Sequence, residues 1–270
     1  MKKRSDAPGA GQSHAIDTLV LAGARATGDA LAEAHCATSK AEIKVAGRSM
    51  INWVLDAVKH SQMTGLVTII GLDDPGILEA DQSASPIEML DAQNGPAESV
   101  YHALNPATGE QPVLVTTCDH VLLTPEILDI FLAQSIASKA DLTVALAQRD
   151  LIEASYPEAK RTYLKFGDGH YSSCNLFCFV SPAAREVARF WQDAEKDRKR
   201  PWRIAWKFGL IRALRILIGR PTHDKVFQLV SERLGVNIQP VILPFADAAV
   251  DVDTEDDLAL VERVLKARSQ

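Results

Sequence analysis

Four consecutive apolar residues, Leu19 to Ala22, stop abruptly at Gly23, and no other stretch limits the possible folds so strongly. A strand with one wet face alternates apolar and polar residues. This run does not alternate, so both of its faces must be covered, as in a parallel sheet between layers of helices. Leu66 to Gly71, Pro112 to Cys118 and Asp141 to Ala147 repeat the pattern, and Val241 to Pro244 and Ala249 to Val252 read as short late strands. Thr162 to Phe166 and Ser173 to Val180 read as a hairpin about Gly167-Asp168-Gly169.

Helical signals fall between these runs. Ala30 to His35 suits a short helical turn. From Ser49 to Val58, apolar residues recur at spacings of three and four, with Ser49 placed as an N-cap. Pro96 opens a helix to Leu104, another restarts at Thr124-Pro125-Glu126, and Pro182 to Lys199 is helical. The last, Thr254 to Lys266, has acids in its first turn, as the helix dipole prefers, with Asp253 as N-cap. Strands alternating with helices predict a three-layer α/β fold with a mostly parallel central sheet.

Nothing in the 270 residues resembles a linker between domains, so one domain is expected over residues 15–270. Residues 1–14 are polar, lack an apolar stretch, and read as a flexible tail. The net charge of −6 argues against nucleic acid as a partner. Charge is unevenly spread, because Arg185 to Arg220 holds eleven Lys and Arg against four Asp and Glu. That stretch reads as a basic helical insertion over about 185–221. Its part from 200 to 220 carries Trp202, Trp206 and Phe208 among basic residues, a pattern suited either to peripheral contact with a membrane surface or to packing on protein. Cys36, Cys118, Cys174 and Cys178 show no paired spacing, which fits a reducing, cytoplasmic setting, with any membrane contact at its inner face. Homo-oligomerisation is left open.

Ligands of parallel sheets gather beyond the carboxyl ends of the strands, and polar features recur there. Leu21-Ala22-Gly23-Ala24-Arg25 is a small-residue loop through which backbone N–H groups can approach an anion, with Arg25 to add charge. Asp119 appears just where a buried run leaves the sheet. As a hard oxygen donor it suits Mg²⁺, which takes one or two protein carboxylates and completes its shell with phosphate and water. Asp251 and Asp253 alternate along the expected late strand and would share one face. Lys40 is a candidate phosphate partner, and Cys174 and Asn175 are candidates to face a pocket. Gly23 and Gly28 lack the spacing of a dinucleotide-binding fingerprint.

Five segments in order carry a resemblance: Leu21-Ala22-Gly23; Lys40 ahead of Val45-Ala46-Gly47-Arg48-Ser49-Met50-Ile51; Gly95-Pro96-Ala97-Glu98-Ser99; Cys118-Asp119-His120 ahead of Leu123-Thr124-Pro125-Glu126; and Asp251 to Leu258. Together they resemble the nucleotidyltransferases of glycosyltransferase-A-like fold, molybdenum-cofactor guanylyltransferase being the nearest familiar branch. The resemblance implies a Rossmann-like nucleotide-binding half. It implies that the loop from Leu21 to Arg25 and Lys40 hold the triphosphate, and that Gly95, Ala97 and Ser99 lie against the nucleobase. Asp119 would bind Mg²⁺, Asp253 would supply the second carboxylate with Asp251 as its alternative, and Asn175 would fall on the acceptor side. Lys40, Asp119 and Arg25 would then be the catalytic residues. The implied reaction moves a nucleoside monophosphate from a nucleoside triphosphate to a phosphorylated small-molecule or lipid-precursor acceptor. Ala24 and Ala26 stand where that family has glycines, which keeps a non-catalytic nucleotide-sensing or scaffolding module as the competing expectation.

Overall fold

The computed structural model describes residues 15–24, 28–79, 87–104, 111–196 and 220–268. The expected tail, Arg25 and all but the last residue of the 200–220 stretch lie outside them. The strands are β1 (Ile16–Leu21), β2 (Lys44–Val45), β3 (Arg48–Ser49), β4 (Thr64–Ile70), β5 (Ile87–Leu90), β6 (Val113–Thr117), β7 (Leu142–Gln148), β8 (Leu164–Phe166), β9 (Gly169–Phe179) and β10 (Ile238–Leu243). The described α-helices are α1 (Ala30–Ala34), α2 (Met50–His60), α3 (Pro96–Ala103), α4 (Pro125–Ala137), α5 (Arg149–Ser155), α6 (Arg185–Lys196), α7 (His223–Leu234) and α8 (Glu255–Arg268).

The main sheet runs β10-β7-β9-β6-β1-β4-β5, with β8 paired to β9 and β2-β3 forming a separate two-stranded ribbon. Pairs β10–β7, β6–β1, β1–β4 and β4–β5 are parallel. Only β9 runs against its neighbours β6 and β7. The sheet is therefore mixed and mostly parallel, as the uniform apolar runs required. One core packs α2 and α4 on one face, from Ile51, Val54, Phe131 and Leu132 against Val20 and Ile69. The other face packs Val100 of α3 and Ala188 of α6 against Leu19 and Val115, so part of the expected basic insertion is structural core.

Several local expectations give way to longer-range contacts. Ser49 precedes α2 but makes no capping bond with its side chain, and its hydroxyl instead accepts from the Asn52 amide at 2.5 Å. Residues 249–252 do not form a strand. A 3₁₀ turn, Asp247–Ala249, leads into an irregular segment whose Val252 N–H donates to Asp119 O. α8 is capped by Thr254 rather than Asp253: Asp257 accepts from the Thr254 N–H at 2.9 Å, and the Thr254 hydroxyl accepts from the Asp257 N–H at 3.3 Å, the reciprocal geometry of a capping box. That releases the Asp253 side chain for other contacts.

The loops after β1 and β4 touch through glycine. Gly71 has φ +79°, and a Cβ there would lie 2.8 Å from Gly23 Cα and 2.8 Å from Ala92 Cβ. Gly71→Ala is expected to lower stability by about 2 kcal/mol, combining backbone strain with a steric clash. Urea denaturation reads this directly, and a change below about 0.5 kcal/mol would mean that the two loops separate freely.

Candidate functional site

From β1 the chain passes to β4 on one side and later to β6 on the other, so the crevice between the carboxyl ends of β1 and β6 is a topological switch point. Leu21 pairs with Thr117, and the Cys118 N–H donates to Leu21 O at 2.9 Å. Asp119 then turns out of the sheet. It is 8% exposed, accepts from the Thr117 hydroxyl at 2.6 Å and from Lys40 Nζ at 3.2 Å, and its carbonyl accepts from the Val252 N–H at 3.0 Å. That last bond lashes the segment before α8 to the end of β6.

Lys40 lies in a 3₁₀ turn and is itself only 8% exposed. Its ammonium contacts the carboxylates of Asp119 and Asp253 and lies 3.8 Å from that of Asp29. Asp29 also caps α1, accepting from Leu31 N at 3.1 Å. Asp251 is held differently. One oxygen pairs with Arg161 and the other accepts from the Asn175 amide at 3.0 Å. Arg161, with its side chain 5% exposed, also pairs with Asp257. Asn175 reaches Asp251 because β9 bulges here: the register with β7 shifts between Val144 and Leu146, and Asn175 takes φ +49°. Bulges beside sites re-aim a side chain in this way.

Asp119, Asp251 and Asp253 each present an oxygen, all within 4.8 Å of one another. Mg–O bonds of about 2.1 Å put adjacent ligands about 3 Å apart, so modest side-chain movement suffices to close the three on one ion. The donors are all hard oxygens, which fit Mg²⁺ rather than a thiophilic metal. Charge points the same way. Asp29, Asp119, Asp251, Asp253 and Asp257 gather about Lys40 and Arg161, an acidic setting that suits a cation. Burial, then the charge of Asp119, push Asp251 up to about 6, against the pull of Arg161.

This shift fixes a sign. Folded Asp251 holds its proton more tightly than the unfolded chain, so it costs stability above pH 6, and the cost is relieved as pH falls from 6 towards 4. A cation held by Asp119 and Asp253 would favour the ionised form of Asp251 beside it, so the two equilibria would be linked. Mn²⁺ or Mg²⁺ affinity, measured by calorimetry, is therefore expected to weaken markedly from pH 7.5 to pH 5. Equal affinity at both values would show that no cation binds within electrostatic reach of Asp251.

The expected site residues divide into two sets. Lys40, Asp119, Asp251, Asp253 and Asn175 converge, and Leu21 lines the adjoining cleft. Ala22 is buried, its N–H bonded to Ile70 O at 2.9 Å, while Gly23 and Ala24 are exposed. Gly95 sits at the N-cap of α3, but Ala97 is fully buried and the Ser99 hydroxyl accepts from Gln93 N–H at 2.9 Å. Ala97 and Ser99 thus shape the turn at Gln93–Gly95 from behind. His120 is buried, bonds Ala248 O at 2.7 Å, and is held neutral by burial. Thr117, Asp29, Arg161 and Asp257 were not anticipated. An acid ahead of a helix and an acid three residues after Thr254 were legible as caps, whereas nothing local marks Arg161.

The ammonium among clustered carboxylates stands at the switch point of a mixed sheet, where α/β enzymes of glycosyltransferase-A-like fold bind their ligands. The chain belongs to the MobA-like NTP transferase family, whose model matches residues 18–206, and it is a nucleotidyltransferase. A hypothetical transferase from Thermus thermophilus superposes with a TM-score of 0.76 at 30% identity, covering 90% of this chain and 99% of that one. Two others share the fold at 13% identity. They are a 4-diphosphocytidyl-2C-methyl-D-erythritol synthase from Anaerococcus prevotii (TM-score 0.56; 94% of this chain, 97% of that one) and a CMP:2-keto-3-deoxy-manno-octonic acid synthetase complexed with CTP (TM-score 0.54; 94% and 98%). No curated protein matches the chain.

Proposed function

We propose that this enzyme transfers a nucleoside monophosphate from a nucleoside triphosphate to a phosphorylated small-molecule or lipid-precursor acceptor, with Mg²⁺ as cofactor. A phosphate oxygen of the acceptor forms the new bond to the α-phosphorus. The bond from that phosphorus to the α–β bridging oxygen breaks, and pyrophosphate leaves with the electron pair. The observation that carries this reading is the meeting of Asp119, Asp251 and Asp253 at the end of β6, with Lys40 on the first and last of them.

Asp119 and Asp253 would hold Mg²⁺, because Asp251 already engages Arg161 and Asn175. Bound there, the ion would neutralise charge on the phosphates as the α-phosphorus is attacked. The chain's own contribution is placement. Lys40, in contact with Asp119 and Asp253, would offer its ammonium to the triphosphate, the Leu21–Ala24 backbone would offer N–H groups to the same anion, and Arg25 is the proposed further source of charge. The Gln93–Gly95 turn, set by Ser99 and Ala97, lies against the nucleobase, and Asn175 faces the acceptor. Residues 15–270 form one catalytic domain in this reading, with the basic insertion over about 185–221. Among the described residues no helix is long and apolar enough to cross a membrane, and peripheral contact through 200–220 remains part of the proposal. The test is a pyrophosphate-release screen of the four ribonucleoside triphosphates against phosphorylated sugars, polyols, glycerates and lipid precursors. Release with no combination, in the presence of Mg²⁺, overturns the reading.

A further inference from the structure

A cleft of about 260 Å³ opens beside the carboxylates, between the start of α3 and α6. Its two ends differ in chemistry. Asp119, Asp251 and Asn175 form the mouth, Leu21, Pro96, Val115, Phe177 and Trp191 supply apolar walls, and Thr116 and Thr117 complete the lining. Val115 and Phe177 are register partners on β6 and β9, and Trp191 of α6 packs on Phe177 with ring centroids 5.6 Å apart and planes tilted by 36°. Among the described lining residues none is Lys or Arg.

From this polarity we propose that the acceptor is amphipathic: its reacting phosphate stays at the carboxylate mouth while an apolar alkyl, prenyl or aryl body fills the cleft against Trp191 and Phe177. The inference rests on the nucleotidyl-transfer reading and narrows its acceptor. A polyol or sugar body in the same space gives up its water and meets walls that are mostly hydrocarbon, where Thr116 and Thr117 replace only a few of the lost hydrogen bonds, which is costly. An apolar body gains about 25 cal/mol for each Å² it removes from water, with ring stacking in addition. The phosphate would need no cation from the walls, because a cation held by the carboxylates, with Lys40 in contact with Asp119, would neutralise it.

Calorimetric binding separates this inference from the activity itself. Phenyl phosphate and a prenyl monophosphate are titrated into the full chain with Mg²⁺ and a non-hydrolysable triphosphate analogue, beside glycerol 3-phosphate and glucose 1-phosphate. The apolar pair is expected to bind about tenfold tighter or better. Trp191→Ala should erase most of that preference and Trp191→Phe should keep it, with affinity for the triphosphate analogue unchanged in both. Val115→Thr, which puts a hydroxyl into the wall at nearly constant volume, repeats the test if Trp191→Ala does not fold. Equal or tighter binding of the sugar phosphate, or a loss confined to the triphosphate analogue, overturns the inference. Failure of the pyrophosphate screen with the binding preference intact would instead count against the activity reading.

Discussion

Asp119→Asn is expected to lower kcat/KM for nucleotidyl transfer by about 10³-fold, near 4 kcal/mol of transition-state stabilisation, while leaving the fold intact. The substitution keeps the shape and keeps an oxygen to accept from the Thr117 hydroxyl. It removes the charge, and it can place an amide N–H₂ where Lys40 Nζ now donates at 3.2 Å. Both the cation and the lysine lose their common anchor. Stability should hold or rise slightly, because the Asp119 charge is second only to burial in pushing Asp251 upward. The same variant should therefore lower the Asp251 titration from about 6 towards the ordinary carboxylate range. Steady-state pyrophosphate release with a parallel thermal melt decides the matter. Activity within about threefold of the parent, with the melt unchanged, would falsify the assignment of Asp119 to the reacting phosphates.

Arg161→Met is expected to cost about 3–5 kcal/mol of stability, the range found when one partner of a buried ion pair is removed. Two carboxylates depend on this guanidinium, those of Asp251 and Asp257, and Asp257 is the less exposed of the two. Asp257 in turn accepts from the N–H groups of Asp253 and Thr254 at 3.2 and 2.9 Å. Losing Arg161 therefore loosens the segment that presents Asp253, and activity should fall with stability. Arg161→Lys restores one charge without the planar fork and should recover only part of the loss. Saturating Mg²⁺ should shrink the deficit, since a cation beside Asp251 replaces some of the missing charge. Denaturant midpoints with and without Mg²⁺ measure this. A loss below 1 kcal/mol would show that water, not Arg161, compensates the two acids.

Much of the fold was legible because its signals are local. The uniform apolar run at Leu19–Ala22 could belong only to a strand covered on both faces, and β1 is so covered. Thr124 and Pro125 marked the start of α4, where the Thr124 hydroxyl does accept from Ile127 N–H at 3.3 Å. Short or weakly periodic elements escaped, among them β2, β3, β5, α5 and α7. The late segment misled for a physical reason: Ala249 to Val252 is apolar enough for a strand, but its backbone is claimed by the 3₁₀ turn and by Asp119 O.

By itself the sequence determined the alternation of strands and helices along the main sheet, the ends of β1 and β6, and hence the carboxyl edge from which Leu21, Asp119 and their loops emerge. Periodicity and capping act over a few residues, and they suffice for that. Tertiary structure alone decided which charged groups meet. Lys40, Asp119, Arg161 and Asp251 come from four separate stretches, and they converge only because β9 inserts antiparallel between β6 and β7, bulges at Asn175, and leaves the segment before α8 tied to the end of β6. Packing likewise chose among the acids, giving Asp251 to Arg161, Asp257 to the cap of α8, and Asp253 to Lys40. Charge complementarity in a buried crevice is a property of distance, and distance between remote segments is written only in the fold.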